Sequence, residues 1–226
     1  MRDATGEIDA CGIDTSYPDT SCLDTGSSNT NCIDTSDIDD NQIDEVDAAR
    51  SREYALLSTL LAPDQALLER LADVRADASP LGGAHAAVAE AAGCAHAGDV
   101  QREYFDLGRG ELLPCGSYYL TGFLLERPLA RLRQDLVRLR IERAAGQQEP
   151  EDDAAILCEV MAGLLSRRFP VSPVGEREVF GRRLSPWIGR FFTDLEHAQA
   201  ADFYRHVGAL GRAFTSVETE AFALLY

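Results

Sequence analysis

The chain has no lysine: all 21 of its basic residues are arginines, set against 38 acids, and the formal net charge is −17. A field of that sign repels nucleic-acid phosphates and anionic lipid headgroups, so neither is the expected partner. The six cysteines, at positions 11, 22, 32, 94, 115 and 158, include no CxxC pair. The nearest approach to a zinc-site spacing is Cys94-Ala95-His96. Free thiols in a reducing compartment are the expectation. No apolar run approaches the ~18 residues that a membrane span needs, and the N-terminus shows no signal-peptide leader. The protein is expected to stay in the cytoplasm.

Reactive constellations are also missing. Gly108-Arg109-Gly110 follows no strand and lacks the rest of a phosphate-binding motif, so it reads as a turn. His85, His96, His197 and His206 are scattered without a partner at helical spacing. Cys115 and Cys158 have no neighbouring group to lower a thiol pKa. No catalytic residue, metal ligand or cofactor is assigned.

Residues 1–47 differ in kind from the rest. They hold thirteen acids and one arginine, a net charge of −12, and a short repeat: Gly12-Ile13-Asp14-Thr15, Cys22-Leu23-Asp24-Thr25, Cys32-Ile33-Asp34-Thr35, Gln42-Ile43-Asp44-Glu45. One aliphatic residue per repeat cannot bury a core, so a disordered acidic arm is expected. An interaction tail, a solvated extension and a start placed too far upstream all remain open for it.

Residues 48–226 carry helical periodicity throughout. Ala55, Leu56, Leu60 and Leu61 mark a first helix ending near Pro63, and Leu67, Leu68, Leu71 and Val74 a second. Weaker helices are expected over 82–98 and 101–107. Ser117 can cap a helix carrying Tyr118, Tyr119, Phe123 and Leu124, and Pro128 suits the first position of the next, with Leu129, Leu132, Leu136 and Leu139. Pro150 opens a long apolar helix that stops at Phe169-Pro170. Val179, Phe180, Leu184, Trp187, Ile188, Phe191, Phe192 and Leu195 continue the pattern, and the last helix steps through Phe203, Val207, Leu210, Phe214 and Val217. No segment alternates with period two, so the expectation is one all-α domain of about eight or nine helices behind the arm.

The most unusual local feature is the acidic run Glu149-Pro150-Glu151-Asp152-Asp153 at the mouth of the apolar helix. Proline at the first position and acids in the first turn complement the helix dipole. Asp152 and Glu159 lie seven residues apart on the helix expected from Pro150, so they share a face about 10.5 Å apart along the axis at 1.5 Å rise per residue. Ala155 and Gly163 would leave that face shallow. The separation exceeds the ~6.5 to 9.5 Å of an inverting glycosidase pair. It suits a peptide bearing arginines followed by an apolar stretch, because arginine forks carboxylates and apolar side chains seek a groove.

Three stretches together resemble the TorD/DmsD/NarJ family of molybdoenzyme maturation chaperones: Leu112-Leu113-Pro114-Cys115-Gly116-Ser117-Tyr118-Tyr119, then Glu149-Pro150-Glu151-Asp152-Asp153 through Glu159, and finally Trp187 with Phe203-Tyr204. They fall in the family's order over roughly residues 50–222, and the arm has no counterpart. The resemblance implies an all-helical, non-catalytic chaperone that binds the twin-arginine signal peptide or apo-form of a molybdopterin oxidoreductase until its cofactor is inserted. It implies a client site at Leu113, Pro114, Tyr118, Glu149, Pro150, Glu151, Asp152, Asp153 and Glu159, and in some members weak binding of guanine nucleotide. Cys115 stands where the family usually has tyrosine, and Asp153 where it usually has histidine. The first motif through Gly122-Phe123 is similar to the branch found with formate dehydrogenases. A nucleotide-hydrolysing or cofactor-handling protein and a non-catalytic scaffold or regulator are the competing readings, and the sequence leaves open whether the chain dimerises.

Overall fold

The computed structural model describes residues 44–62, 67, 71, 79–110, 112–143, 146–169 and 173–224. Most of the expected arm therefore lies outside the described residues, as does most of the expected second helix, of which Leu67 and Leu71 are both buried. The described residues form nine α-helices and one π-helical turn, with a single isolated β-bridge. The all-α expectation holds.

Helix α1 spans Glu45–Leu60 and starts inside the stretch assigned to the arm, because the Asp44 side chain accepts from the Val46 N–H and caps it. Its buried stripe is Tyr54, Leu57 and Leu60, whereas Ala55 of the expected stripe is exposed. Helix α2 covers Gly82–Cys94 and α3 covers Ala97–Gly110. The Gly108-Arg109-Gly110 segment is thus the last turn of α3 rather than a loop. Next come α4 (Gly116–Thr121), α5 (Arg127–Arg138), α6 (Ala154–Leu165) and α7 (Pro173–Val179). A π-helical turn over Phe180–Leu184 joins α7 to α8 (Ser185–His197), and α9 runs Phe203–Leu224.

Helix α6 is apolar almost all round, as a helix wrapped by neighbours must be. Ten of its twelve residues are buried, only Ile156 and Glu159 being the exceptions. It packs along α1, and α8 packs along α9. The α8–α9 approach is close because Gly208 and Gly211 carry no side chain: a Cβ on Gly208 would lie 2.4 Å from the Glu196 nitrogen, and one on Gly211 2.2 Å from the Phe192 ring.

Charged groups tie the helices together over long sequence distances. Arg50 of α1 donates to Glu218 of α9 at 2.7 Å, to Glu176 of α7 at 2.8 Å and to Asp47 at 2.9 Å, while the Tyr54 hydroxyl donates to Glu218 at 3.0 Å. Glu218 is fully buried, so both partners are required to offset its desolvation. At the other end of α9, the Glu103 carboxylate of α3 accepts from the backbone N–H groups of Asp202, Phe203 and Tyr204 at 2.7, 3.1 and 2.9 Å. A side chain about 100 residues away thereby caps the last helix.

Candidate functional site

The two signature stretches meet. Gly116 N–H donates to the Asp152 carbonyl at 2.8 Å and Ala154 N–H to the Pro114 carbonyl at 2.7 Å, forming the antiparallel bridge between Cys115 and Asp153. The Asp152 carboxylate also accepts from the Ser117 N–H at 2.6 Å. The Asp153 carboxylate accepts from the Ala155 N–H at 2.8 Å and caps α6.

This corrects the reading of the acidic run. Pro150 is not the first residue of the helix: residues 150–152 form a turn, and α6 begins at Ala154 because Asp153 supplies the cap. Asp152 lies outside the helix and is buried, while the Glu159 side chain is 61% exposed, so the two share no face. Nor is the face near Gly163 shallow, since a Cβ there would meet the Phe169 ring at 2.2 Å. Ser117 is likewise not the cap of α4. That position falls to Cys115, which makes no side-chain capping bond.

The other expected site residues divide. Leu113 and Pro114 are half-buried, and Tyr118 is exposed. Glu149 is exposed and Pro150 half-buried. Glu151 is forked by the Arg133 guanidinium at 2.9 and 2.8 Å. Burial acts against its charge, yet that pairing prevails and holds its carboxyl below the ordinary range. Glu151 and Glu159 line one crevice with Ile141, Val160 and Phe169. Tyr118 and Pro114 line two other cavities that share no residue with that crevice.

Those two cavities adjoin through Leu112. One is a polar groove of about 630 Å³ lined by Tyr118, Tyr119, Gly122, Arg190, Asp194 and His197, among others. The second is an apolar pocket of about 240 Å³ walled by Tyr104, Phe105, Leu107, Pro114, Phe191 and Leu195, with the Arg109 guanidinium over the Phe105 ring at 4.3 Å. Arg190 lies over the Tyr119 ring at 5.8 Å and 3.8 Å from Asp194. Burial, and then the Asp194 carboxylate beside it, push the Tyr119 phenol upward. The Tyr119 ring sits 5.7 Å from Trp187 and 5.9 Å from Phe191, so it is anchored, while Tyr118 is exposed at the groove with its ring edge-on to Tyr119 at 5.9 Å. Phe123 and Leu124, expected on the same helix as Tyr119, lie beyond its end, because Gly122 takes a left-handed φ of 81° that stops α4, and both are exposed.

Sequence reasoning missed Asp194, Arg190, Tyr104 and Phe105 as wall residues. The only signal was their place on amphipathic helices, which does not reveal which cavity a helix borders.

Burial pushes the Asp153 carboxyl up to about 7, with Glu149 and Asp152 adding to the effect and the N–H groups of Ala155 and Ile156 opposing it. Burial, and then the Asp153 and Asp152 carboxylates, push the Cys115 thiol up to about 12. A neutral buried thiol is a poor nucleophile. Among the described residues, no cluster of His, Cys, Asp or Glu could hold a metal ion.

The described helices thus wall an apolar pocket that opens beside a polar, aromatic-rimmed groove. The model of the family described as nitrate reductase delta subunit matches residues 74–193, more than half of the chain, and the chain belongs to that family. Its general role is the family's: a NarJ/TorD-type chaperone in the maturation of molybdoenzymes, with their catalytic subunits as its kind of partner. No match was found among curated proteins. No helix among the described residues is long and apolar enough to cross a membrane.

Proposed function

We propose that the chain is a cytoplasmic chaperone that holds the twin-arginine signal peptide of an apo molybdopterin oxidoreductase, and through it the subunit, while cofactor is inserted and before export. A formate dehydrogenase is the proposed client, on the resemblance of the first motif. The observation that carries this reading is the junction of the apolar pocket with the polar groove at Leu112. A peptide of two arginines followed by an apolar stretch has that same division. Its apolar side chains would displace water from the Tyr104, Phe105, Phe191 and Leu195 walls, at roughly 25 cal/mol per Å² of apolar surface covered. Its arginines would find Asp194 at the groove and the exposed Glu149, which lies close enough to oppose ionisation of Tyr104. Tyr118, adaptable and amphipathic, closes over the segment between.

Titration of the full chain with a synthetic peptide of that pattern tests the proposal. Tyr118→Ala should weaken binding about tenfold, the loss of one aromatic contact of ~1.4 kcal/mol, with little change in melting temperature. Tyr119→Ala should mainly lower stability, since its ring packs on Trp187 and Phe191. The reverse pattern, or no binding by the wild-type chain, would count against this site.

A further inference from the structure

The start of α4 is held from outside, by the turn that precedes α6. Six residues are too few for a helix to persist alone, isolated helices shorter than about 12–15 residues being marginal in water. Helix α4 also lacks a side-chain cap of its own. Two of its first N–H groups are instead satisfied by one residue: Gly116 N–H by the Asp152 carbonyl at 2.8 Å and Ser117 N–H by the Asp152 carboxylate at 2.6 Å. Beneath them Gly116 rests on Trp187, where a Cβ would lie 2.9 Å from the indole nitrogen. The indole N–H is committed to the Arg183 carbonyl at 2.7 Å, so Trp187 is a fixed floor. The next two residues of α4, Tyr118 and Tyr119, line the groove.

We infer that Asp152 is a positioning residue for client binding: its carboxylate sets the pose of α4 and hence of Tyr118, and it does not itself receive a client arginine. This rests on the reading of the groove as the client site. The carboxylate is buried, and the oxygen that does not face Ser117 N–H has no partner, nor does the buried Ser117 hydroxyl. An arginine could reach neither oxygen without opening the bridge that fixes the loop. Asparagine at this position keeps an acceptor oxygen for the Ser117 N–H and nearly the same shape, while it removes the charge. Charge and positioning can therefore be separated by one atom.

The test compares Asp152→Asn, Asp152→Ala and Gly116→Ala in the full chain by two readouts: affinity for the twin-arginine peptide, and emission of Trp187, the chain's one tryptophan. Positioning predicts that Asp152→Asn binds within about threefold of wild type with unchanged emission. Asp152→Ala should bind at least tenfold more weakly with red-shifted emission, because α4 lifts from the indole. Gly116→Ala, which crowds Trp187 and leaves Asp152 intact, should reproduce the Asp152→Ala result, and it decides the matter if Asp152→Ala does not fold. A tenfold loss in a folded Asp152→Asn with wild-type emission would overturn the inference in favour of direct charge contact. Wild-type affinity in Asp152→Ala or Gly116→Ala would overturn it as well. If the wild-type chain binds no peptide, the client reading fails separately, and unchanged emission in Asp152→Ala would still refute the hold on α4.

Discussion

At Asp153 one carboxyl group has to cap a helix and lie buried, and the two demands pull its ionisation in opposite directions. The N–H groups of Ala155 and Ile156 favour the anion, while burial and the neighbouring acids Glu149 and Asp152 oppose it and prevail, leaving the group near 7 against an ordinary 3.8. Between those values the folded chain holds a proton that the unfolded chain has released. Stability from this group is therefore complete below about pH 4, declines as pH rises and is gone above about pH 7. Asp153→Asn keeps an acceptor for the cap and cannot titrate. Its melting temperature should vary less between pH 4 and 7 than that of the wild type. Burial raises Glu176 in the same direction, but both chains share that contribution and it cancels in the comparison. Parallel curves would show that the Asp153 proton is not linked to folding. The same burial predicts that Cys115 and Cys158 resist iodoacetamide in the native chain while the exposed Cys94 is labelled, as peptide mass spectrometry would show.

Among the helices, sequence periodicity was a good guide wherever one face meets a core. Leu129, Leu132 and Leu136 of α5, and Phe203, Val207, Leu210 and Phe214 of α9, are buried as their spacing requires, whereas Val217 at the end of the α9 series is exposed. Periodicity says nothing about what secures the ends. Proline followed by acids marked the start of α6 at Pro150, but Asp153 caps it and the helix begins at Ala154, and the signal could not rank two acceptable starts four residues apart. Asp152 and Ser117 are 35 residues apart, Glu103 and Phe203 100, Arg50 and Glu218 168, and no local pattern announces such pairings. Glycine carries a related message at the α8–α9 contact. Gly208→Ala would press a methyl group into the Glu196 backbone, which cannot swing aside, and should cost at least the ~1–3 kcal/mol typical of overpacking. Gly189→Ala on α8 meets nothing closer than the Thr215 methyl at 3.9 Å and should be neutral or gain up to about 1 kcal/mol of helix propensity. Urea unfolding of the two variants checks the contrast. Equal stabilities would mean that α8 and α9 separate more easily than their packing implies.

For the whole molecule, family and helical class were legible because the three motifs and the apolar periodicity run through most of the folded region. The walls of the groove were not, since Tyr104, Phe105, Arg190 and Asp194 come together only when α3 and α8 pack beside the loop before α4. On the sequence expectation of few apolar side chains in residues 1–43, we predict that their deletion leaves the melting temperature within a few degrees of the full chain. A larger fall would show that they stabilise the domain. The central claim, that this chaperone recognises a molybdoenzyme before its cofactor arrives, is tested most directly by measuring its affinity for a catalytic subunit in both states. Each molybdopterin oxidoreductase catalytic subunit encoded in the same genome would be prepared with its leader, without cofactor and with it, and titrated against the full chain. The account predicts that at least one subunit binds in the apo form and loses at least tenfold in affinity once loaded. Equal affinity for the two forms of every subunit, or no binding to any, would contradict it.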